Sequence, residues 1–177
     1  GVSLSGDKYF YVNPLESAGG HHRQAWYGCA CCPTNVVRFV SSLAGYIYGT
    51  MKSEPGIYIL QYIGNKTTLE IGDSAVTLEQ KTRYPWEGPV HITVSPDRPS
   101  AFAVGVRIPA WCDGASVAVN GKEQKQEPQD GFVVLRRRWE KGDTVELNFP
   151  MPVRQVAAHP KVKANIGSRA IMRGPVV

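Results

Sequence analysis

Three cysteines occupy four consecutive positions near the start of the chain: Cys29, Cys31 and Cys32. A thiolate is a strong nucleophile and also a preferred ligand of zinc, so this cluster indicates nucleophilic catalysis, metal binding or both. The two adjacent cysteines could each reach one metal ion. The fourth cysteine, Cys112, stands alone in the sequence, and we interpret it as a packing residue.

The spacing of these cysteines leaves several interpretations open. Inert, buried cysteines are common before helices, and a Cys29–Cys32 redox pair has the C-x-x-C spacing without the βαβ context that supports it. A structural zinc site could use Cys29, Cys31, Cys32 and one histidine, although the spacing is tighter than in common zinc sites. A disulfide between Cys31 and Cys32 would close a strained ring. His21 and His22 lie in a Gly-rich polar loop, where solvated histidines outnumber ligands.

A helix is predicted to follow the cysteines and to position them. Pro33 suits a first helical turn and Gly49 a helix end, so we predict one helix over about residues 33–48. The free backbone N–H groups and the positive dipole end at a helix N-terminus favour a thiolate over a thiol. The apolar residues of the predicted helix recur at i, i+3, i+4 and i+7 and are Val36, Phe39, Val40, Leu43, Ala44 and Ile47.

The rest of the chain has the apolar period of two that is typical of strands. Asn120-Gly121 is a strong hairpin signal, and Asn65-Lys66 is predicted to form a turn. A short β element is also predicted over Lys8–Val12. The fold class is therefore mainly β, an antiparallel β-sandwich preceded by one α-helix. The predicted strands of the sandwich cover residues 57–63, 68–71, 75–79, 90–94, 101–108, 117–119, 132–135 and 144–149.

Composition and charge exclude several protein classes. A hydrophobic content of 42% with 20% charged residues excludes a disordered chain, and no apolar run approaches the roughly 18–20 residues of a membrane helix. The net charge of +5 lies mostly after residue 136. The only basic run, Arg136 to Arg138, falls within a predicted strand, so we interpret it as a solvated sheet face. Without an aromatic-interleaved basic stripe, neither nucleic acid nor a membrane is an expected partner.

Several motifs are similar to those of a known family. YVNPLE at 11–16, CACCPTN at 29–35 and RIPAWC at 107–112 resemble the bacterial β-L-arabinofuranosidase family, glycoside hydrolase family 127 and its relatives. RRRWEKGDTVELNFP at 136–150 and MRGP at 172–175 agree with this resemblance. The Cys-Cys-Pro motif before a helix is its most specific part.

The resemblance implies a catalytic site. The family has an (α/α)₆ barrel followed by β-sandwich domains, and it binds zinc through three cysteines and one glutamate. One of these cysteines is also the nucleophile of a retaining hydrolysis of glycan or oligosaccharide substrates. Carried over by motif, Cys31 would be the nucleophile and a zinc ligand, and Cys32 a second zinc ligand. An aromatic residue of the Tyr9–Tyr11 strand would face the substrate; the motif does not decide which, and Tyr11 is the candidate for substrate binding. The glutamate, the remaining cysteine ligand and the general acid are expected upstream, and Cys29 matches no ligand position.

The resemblance also implies a domain organisation. Residues 1–48 would be the end of the catalytic barrel, 49–150 a β-sandwich, and 151–177 a linker with the start of a second sandwich. The chain is thus expected to be part of a longer zinc-thiolate glycoside hydrolase acting on L-arabinofuranoside-type linkages, inactive and weakly zinc-binding alone. The alternatives are a non-catalytic carbohydrate-binding or structural β-sandwich module, and a small zinc or redox protein.

Overall fold

The computed structural model of the chain describes residues 1–12, 18–29 and 31–177. The motif residues 13–16, together with Ser17 and Ala30, lie outside this described part. The chain forms two compact units, Gly1–Gly45 and Tyr46–Val177. Within the described residues, no helix has both the length and the apolar character needed to cross a membrane.

Helix α1 spans Cys31–Ser42 and continues into a 3₁₀ turn over Leu43–Tyr46. It begins two residues before the predicted start, so Cys31 and Cys32 belong to its first turn, together with Pro33. The predicted helix end at residue 48 is wrong, because the backbone tightens into the 3₁₀ turn and then enters a strand. Residues Tyr48–Thr50 pair with a neighbouring strand, and this pairing decides their backbone conformation although the helical spacing of apolar residues continues to Ile47.

The segment before α1 contains little regular structure. The β element predicted over Lys8–Val12 is reduced to isolated bridges, in which Tyr9 pairs with Val2 and with Gln24. Two backbone hydrogen bonds join Tyr9 and Gln24, at 2.9 and 3.0 Å. These bridges tie the two ends of the loop that carries His21 and His22.

The second unit consists of strands β1 to β12 and a 3₁₀ turn over Lys163–Asn165. Its strands are β1 Tyr48–Thr50, β2 Gly56–Ile59, β3 Asn65–Ile71, β4 Ser74–Thr82, β5 Pro89–Pro96, β6 Ser100–Arg107, β7 Ser116–Val119, β8 Lys122–Glu123, β9 Phe132–Trp139, β10 Asp143–Asn148, β11 Val153–Val156 and β12 Ala170–Arg173.

These strands form a sandwich and a separate ribbon. One sheet has the order β1-β2-β6-β9, the other β3-β4-β5-β10-β7-β8, and β11 pairs with β12. All pairs are antiparallel except β2 with β6, which are parallel and match Gly56 with Ala103. The predicted mainly β fold, an antiparallel sandwich preceded by one helix, is confirmed. The parallel pair arises because β3, β4 and β5 all lie in the opposite sheet before the chain returns at β6.

Inward-facing side chains of both sheets make one apolar core. Trp139 is fully buried, and its Nε1–H donates to the Phe102 carbonyl oxygen at 3.0 Å, which satisfies the only polar atom of the indole. Ile59 and Val104, on the paired strands β2 and β6, are also completely buried. Burial of this apolar surface is the main driving force for folding of the unit.

Two turns test the sequence prediction directly. Asn120 and Gly121 have φ of 49° and 72° and connect β7 to β8, so the predicted hairpin is confirmed. The turn predicted at Asn65-Lys66 is wrong, since both residues begin β3. Asn65 is held there because the Tyr48 hydroxyl donates to its Oδ1 at 2.9 Å. The chain bends instead at Gly64, just before β3, and the next turn, at Gly72 with a φ of 59°, joins β3 to β4.

The basic run lies on β9 with all three arginines exposed, as a solvated face requires. Arg136 forms a bidentate ion pair with Glu54, with its Nη2 at 2.7 Å and its Nε at 3.0 Å from Oε1. Hydrogen bonds from this guanidinium hold the pKa of Glu54 below its usual 4.5. Arg137 lies 3.5 Å from Asp143 Oδ2.

Candidate functional site

The candidate site is built around the first turn of α1. Cys31 and Cys32 open the helix, where the first backbone N–H groups have no carbonyl partner within the helix. The Cys31 carbonyl oxygen accepts from the Thr34 hydroxyl at 3.0 Å and from the Asn35 amide at 2.8 Å. These side chains fix the backbone of Cys31, so the TN of the CACCPTN motif has a structural role.

Four side-chain atoms meet at this helix start. The Cys31 sulfur lies 3.4 Å from Cys29 Sγ and 3.7 Å from Cys32 Sγ. The hydroxyl oxygen of Tyr11 lies 2.8 Å from Cys31 Sγ and 3.1 Å from Cys29 Sγ. All three cysteines are exposed and unoxidised. We call Tyr11, Cys29, Cys31 and Cys32 the thiol cluster.

Tyr11 provides the hydroxyl group of the thiol cluster. Contacts with the sulfurs of Cys29, Cys31 and Cys32 raise the pKa of Tyr11 well above its usual 10.0, because a phenolate beside sulfur atoms is disfavoured. The Tyr11 hydroxyl can donate to Cys29 Sγ, and between Tyr11 and Cys31 either group can be the donor. Its ring is in tilted contact with Tyr27, with the centroids 5.5 Å apart.

The predicted zinc ligands, Cys31 and Cys32, have a spacing that suits a shared metal ion. Two sulfurs bound at about 2.3 Å to a tetrahedral zinc lie about 3.8 Å apart, and the two thiols are 3.7 Å apart. Among the residues that the structure describes, no group of three or more His, Cys, Asp or Glu side chains could hold a metal ion. The distance of 3.7 Å between the two sulfur atoms is compatible with two of the four ligand positions of a tetrahedral zinc ion.

The structure brings one residue into the site that the family motif does not select. Cys29 matches no ligand position, yet its sulfur contacts both Tyr11 and Cys31. Its spacing to Cys31 was the available signal, but the sequence could not show which way the intervening backbone turns.

The other candidate residues lie outside the thiol cluster. His21 stacks on Phe10 with the ring centroids 4.7 Å apart, and its Nε2 lies 3.1 Å from the Val12 carbonyl oxygen. His22 is exposed. Cys112 belongs to the second unit, where it packs against the sandwich core, and burial raises the pKa of its thiol.

Family models match both units of the chain. Residues 56–151 match the model described as "Beta-L-arabinofuranosidase, GH127 middle domain". Residues 1–45, which contain the thiol cluster, match the model described as "Beta-L-arabinofuranosidase, GH127 catalytic domain".

Individual relatives agree with these models. The chain is 38% identical over 194 residues to a "Non-reducing end beta-L-arabinofuranosidase" of Bifidobacterium longum subsp. longum, an alignment that covers 100% of the chain and 29% of that protein. It resembles the crystal structure of a GH127 β-L-arabinofuranosidase from Geobacillus stearothermophilus T6, with 41% identity, a TM-score of 0.87, and coverage of 99% of this chain and 29% of that one. A solved GH127 β-arabinofuranosidase has 39% identity and a TM-score of 0.88, with coverage of 99% and 30%. The chain thus spans about three tenths of the length of these relatives.

Proposed function

Since this chain belongs to glycoside hydrolase family 127, we propose that it is part of a longer retaining β-L-arabinofuranosidase in which Cys31 is the nucleophile. The observation that carries the proposal is the position of the Cys31 sulfur. It lies in the first turn of a 12-residue helix, within 2.8 Å of the Tyr11 hydroxyl and exposed to solvent.

Two features of this position favour negative charge on sulfur, and a third makes the sulfur accessible. The backbone N–H groups of the first turn of α1 and the helix dipole stabilise an anion there. The protonated Tyr11 hydroxyl can donate a hydrogen bond to the same sulfur. Exposure lets a substrate reach the thiolate, which is the reactive form of cysteine.

In the proposed reaction, Cys31 Sγ attacks the anomeric carbon of an arabinofuranoside and forms a C–S bond. The C–O bond to the leaving group breaks, and the leaving oxygen takes a proton from a general acid upstream of this chain. Water then gives a proton to the same residue, now acting as a base, and attacks the anomeric carbon, so that the C–S bond breaks, the Cys31 thiolate is restored and the sugar is released. Two inversions at one carbon give net retention. Tyr11, beside the attacking sulfur, would contact the sugar near the bond that breaks.

Cys31 and Cys32 are proposed to hold a zinc ion together with a cysteine and a glutamate upstream of this chain. When bound, zinc would keep its sulfur ligands as thiolates at neutral pH. Pro33, Thr34 and Asn35 fix the backbone that presents the two sulfurs, through the first turn and the two hydrogen bonds to the Cys31 carbonyl. A closed zinc site needs about four ligands, so we expect residues 1–177 alone to bind zinc weakly and to be inactive.

The match of residues 1–45 to the catalytic-domain model supports this proposal over a non-catalytic carbohydrate-binding or structural module. Such a module would account for the sandwich but would leave the thiol cluster without a role. A small zinc or redox protein would account for the cysteines but not for the twelve strands of the second unit.

The test is affinity labelling of the full-length enzyme with an iodoacetyl L-arabinofuranoside, followed by peptide mapping. We expect one sugar per chain, attached at Cys31, and no labelling of the Cys31→Ser variant. Cys112→Ser is the matched control and should be labelled like the wild type. Equal labelling of Cys112, or labelling that persists after Cys31→Ser, would overturn the proposed nucleophile. Metal analysis of Cys32→Ser after dialysis tests the zinc proposal separately, with loss of stoichiometric zinc expected.

A further inference from the structure

We propose that Cys29 is a resolving thiol: when a peroxide oxidises Cys31, Cys29 and Cys31 form a reversible disulfide. The inference concerns the sulfur that the proposed function uses as nucleophile, but it depends on neither glycoside hydrolysis nor zinc. Its basis is the arrangement of three sulfurs and one hydroxyl in the thiol cluster.

The first argument is proximity. Cys29 Sγ is 3.4 Å from Cys31 Sγ, whereas Cys32 Sγ is 3.7 Å away. The Tyr11 hydroxyl lies within hydrogen-bond distance of both Cys29 and Cys31 and so holds their sulfurs on the same side. A shift of about 1.4 Å brings the two sulfurs to the S–S bond length of about 2.0 Å. Both side chains are exposed, so a peroxide can reach them.

The second argument excludes Cys32 as the partner. Adjacent Cα atoms across a trans peptide are about 3.8 Å apart, whereas disulfide-bonded residues have Cα atoms about 4.4–6.8 Å apart. Cys31 and Cys32 are adjacent and both lie in the first turn of α1, so a bond between them would distort the helix start. Cys29 precedes the helix, and a separation of two residues permits a Cα distance in the required range.

The chemistry balances without any group beyond the peroxide. The Cys31 thiolate attacks one peroxide oxygen and the O–O bond breaks, which gives a sulfenic acid and, from hydrogen peroxide, hydroxide that is protonated to water. The Cys29 sulfur then attacks the Cys31 sulfur, the S–O bond breaks, and a second water leaves with the Cys29 proton. Two thiols are oxidised by two electrons and one peroxide is reduced. A dithiol reductant reverses the disulfide by exchange.

The consequence is protection of Cys31. A sulfenic acid without a neighbouring thiol reacts with more peroxide to the sulfinic acid, which common thiol reductants do not reverse. Cys29 intercepts the sulfenic acid and keeps the oxidation reversible. This gives Cys29 a role that the family motif does not assign to it.

The experiment treats the reduced full-length enzyme, with a chelator present, with hydrogen peroxide. Remaining thiols are alkylated and the tryptic peptide of residues 24–38, which contains all three cysteines, is mapped. We expect this peptide to lose two hydrogen atoms while Cys32 and Cys112 stay alkylatable, and we expect dithiothreitol to restore nearly all alkylation of Cys31. A Cys31–Cys32 or Cys29–Cys32 disulfide as the main product would overturn the proposal.

Three variants sharpen the test. In Cys29→Ser, we expect Cys31 to accumulate as sulfinic acid, with recovery by dithiothreitol reduced about tenfold or more. Cys32→Ser, the matched control beside the same sulfur, and Cys112→Ser should both form the Cys29–Cys31 disulfide. Full recovery of Cys31 in Cys29→Ser would refute the resolving role. Because the readout is peptide mass, failure here leaves the labelling test of the nucleophile unaffected, and the reverse also holds.

Discussion

The two units of the chain differ sharply in how their side chains are packed. Within Gly1–Gly45, none of the described residues is buried, and the apolar face of α1 is open in this chain, with Phe39 55% and Val40 61% exposed. In Tyr46–Val177, Trp139, Ile59 and Val104 are completely buried within one core. Within this chain, the first unit is therefore held by hydrogen bonds and bridges among its own residues, whereas the sandwich is held by burial between residues far apart in sequence.

This difference teaches that the site and the scaffold respond to different substitutions. The thiol cluster depends on a helix start, one tyrosine hydroxyl and two hydrogen bonds to the Cys31 carbonyl. The sandwich depends on apolar area removed from water. A substitution in the thiol cluster should change activity without changing the stability of the sandwich. A substitution in the sandwich core should change stability without changing the arrangement of the thiol cluster.

The largest effect is expected from Cys31→Ser. In the full-length enzyme, turnover of an aryl L-arabinofuranoside should fall about 10⁴-fold or more, because a serine hydroxyl stays protonated at neutral pH. The urea midpoint of the sandwich should not move. The control is Cys112→Ser, which should keep its activity and cost about 1 kcal/mol of stability. An equal loss of activity in both variants would contradict the assignment.

Trp139→Ala tests the other side of the comparison. Removing a fully buried indole that hydrogen-bonds to Phe102 should lower the free energy of unfolding by about 3–5 kcal/mol. Urea denaturation followed by circular dichroism measures this loss. Trp26→Ala in the first unit is the matched control, because Trp26 is 62% exposed, and it should change stability by less than about 0.5 kcal/mol. Similar losses in the two variants would mean that the units do not differ in packing.

A pair of glycines gives a smaller, backbone-level contrast. A Cβ at Gly88 would lie 2.0 Å from the Phe149 carbonyl oxygen, so Gly88→Ala should force the two backbones apart and cost about 1–3 kcal/mol. A Cβ at Gly20, in the first unit, would meet nothing within 4 Å. Gly20→Ala should therefore leave the thermal unfolding midpoint unchanged or slightly raised. A lower midpoint for Gly20→Ala than for Gly88→Ala would reverse the contrast.

The smallest effect concerns the surface of the sandwich, where Glu54 pairs with Arg136. The folded-state pKa of Glu54 is lowered, so its stabilisation is fully present above its usual pKa of 4.5 and is lost as the pH falls through the lowered value. Glu54→Gln should thus be slightly less stable than wild type at pH 7, and the gap should close in acid. Urea midpoints of both proteins between pH 7 and 2.5 measure it. A gap that widens in acid would contradict the ion-pair argument.

Local sequence patterns predicted much of the sandwich. Alternating apolar residues identified the positions of most core strands, and Asn120-Gly121 identified its hairpin because both residues need positive φ. The same reasoning extended α1 too far. Ile47 fits the helical period, but it is buried in the structure, and its carbonyl accepts from the Leu60 N–H at 2.8 Å. The spacing of apolar residues around Ile47 does not reveal that its backbone pairs with a residue 13 positions later.

The candidate site was predicted by residue type more than by geometry. Spacing and motif singled out Cys31 and Cys32, Tyr11 was one candidate among the aromatics of its segment, and the structure brings these three side chains together. Cys29 joins the cluster through its sulfur, 3.4 Å from that of Cys31, a proximity that residue types and spacing do not determine. The glutamate and the general acid that the family motif implies are expected outside this chain.

The parallel pairing of β2 with β6 has a consequence for the speed of folding. Gly56 pairs with Ala103, and β3, β4 and β5 lie between them in sequence, so a long loop must close before this pair contributes any stability. Domains dominated by such non-local pairings fold in roughly milliseconds to seconds, whereas helical bundles need only microseconds to milliseconds. During synthesis, β2 cannot complete its sheet until the ribosome has released residue 106, the partner of Ile59. The edge of β2 that faces β6 therefore stays unpaired during synthesis until these later residues are available, although its other edge can already pair with β1.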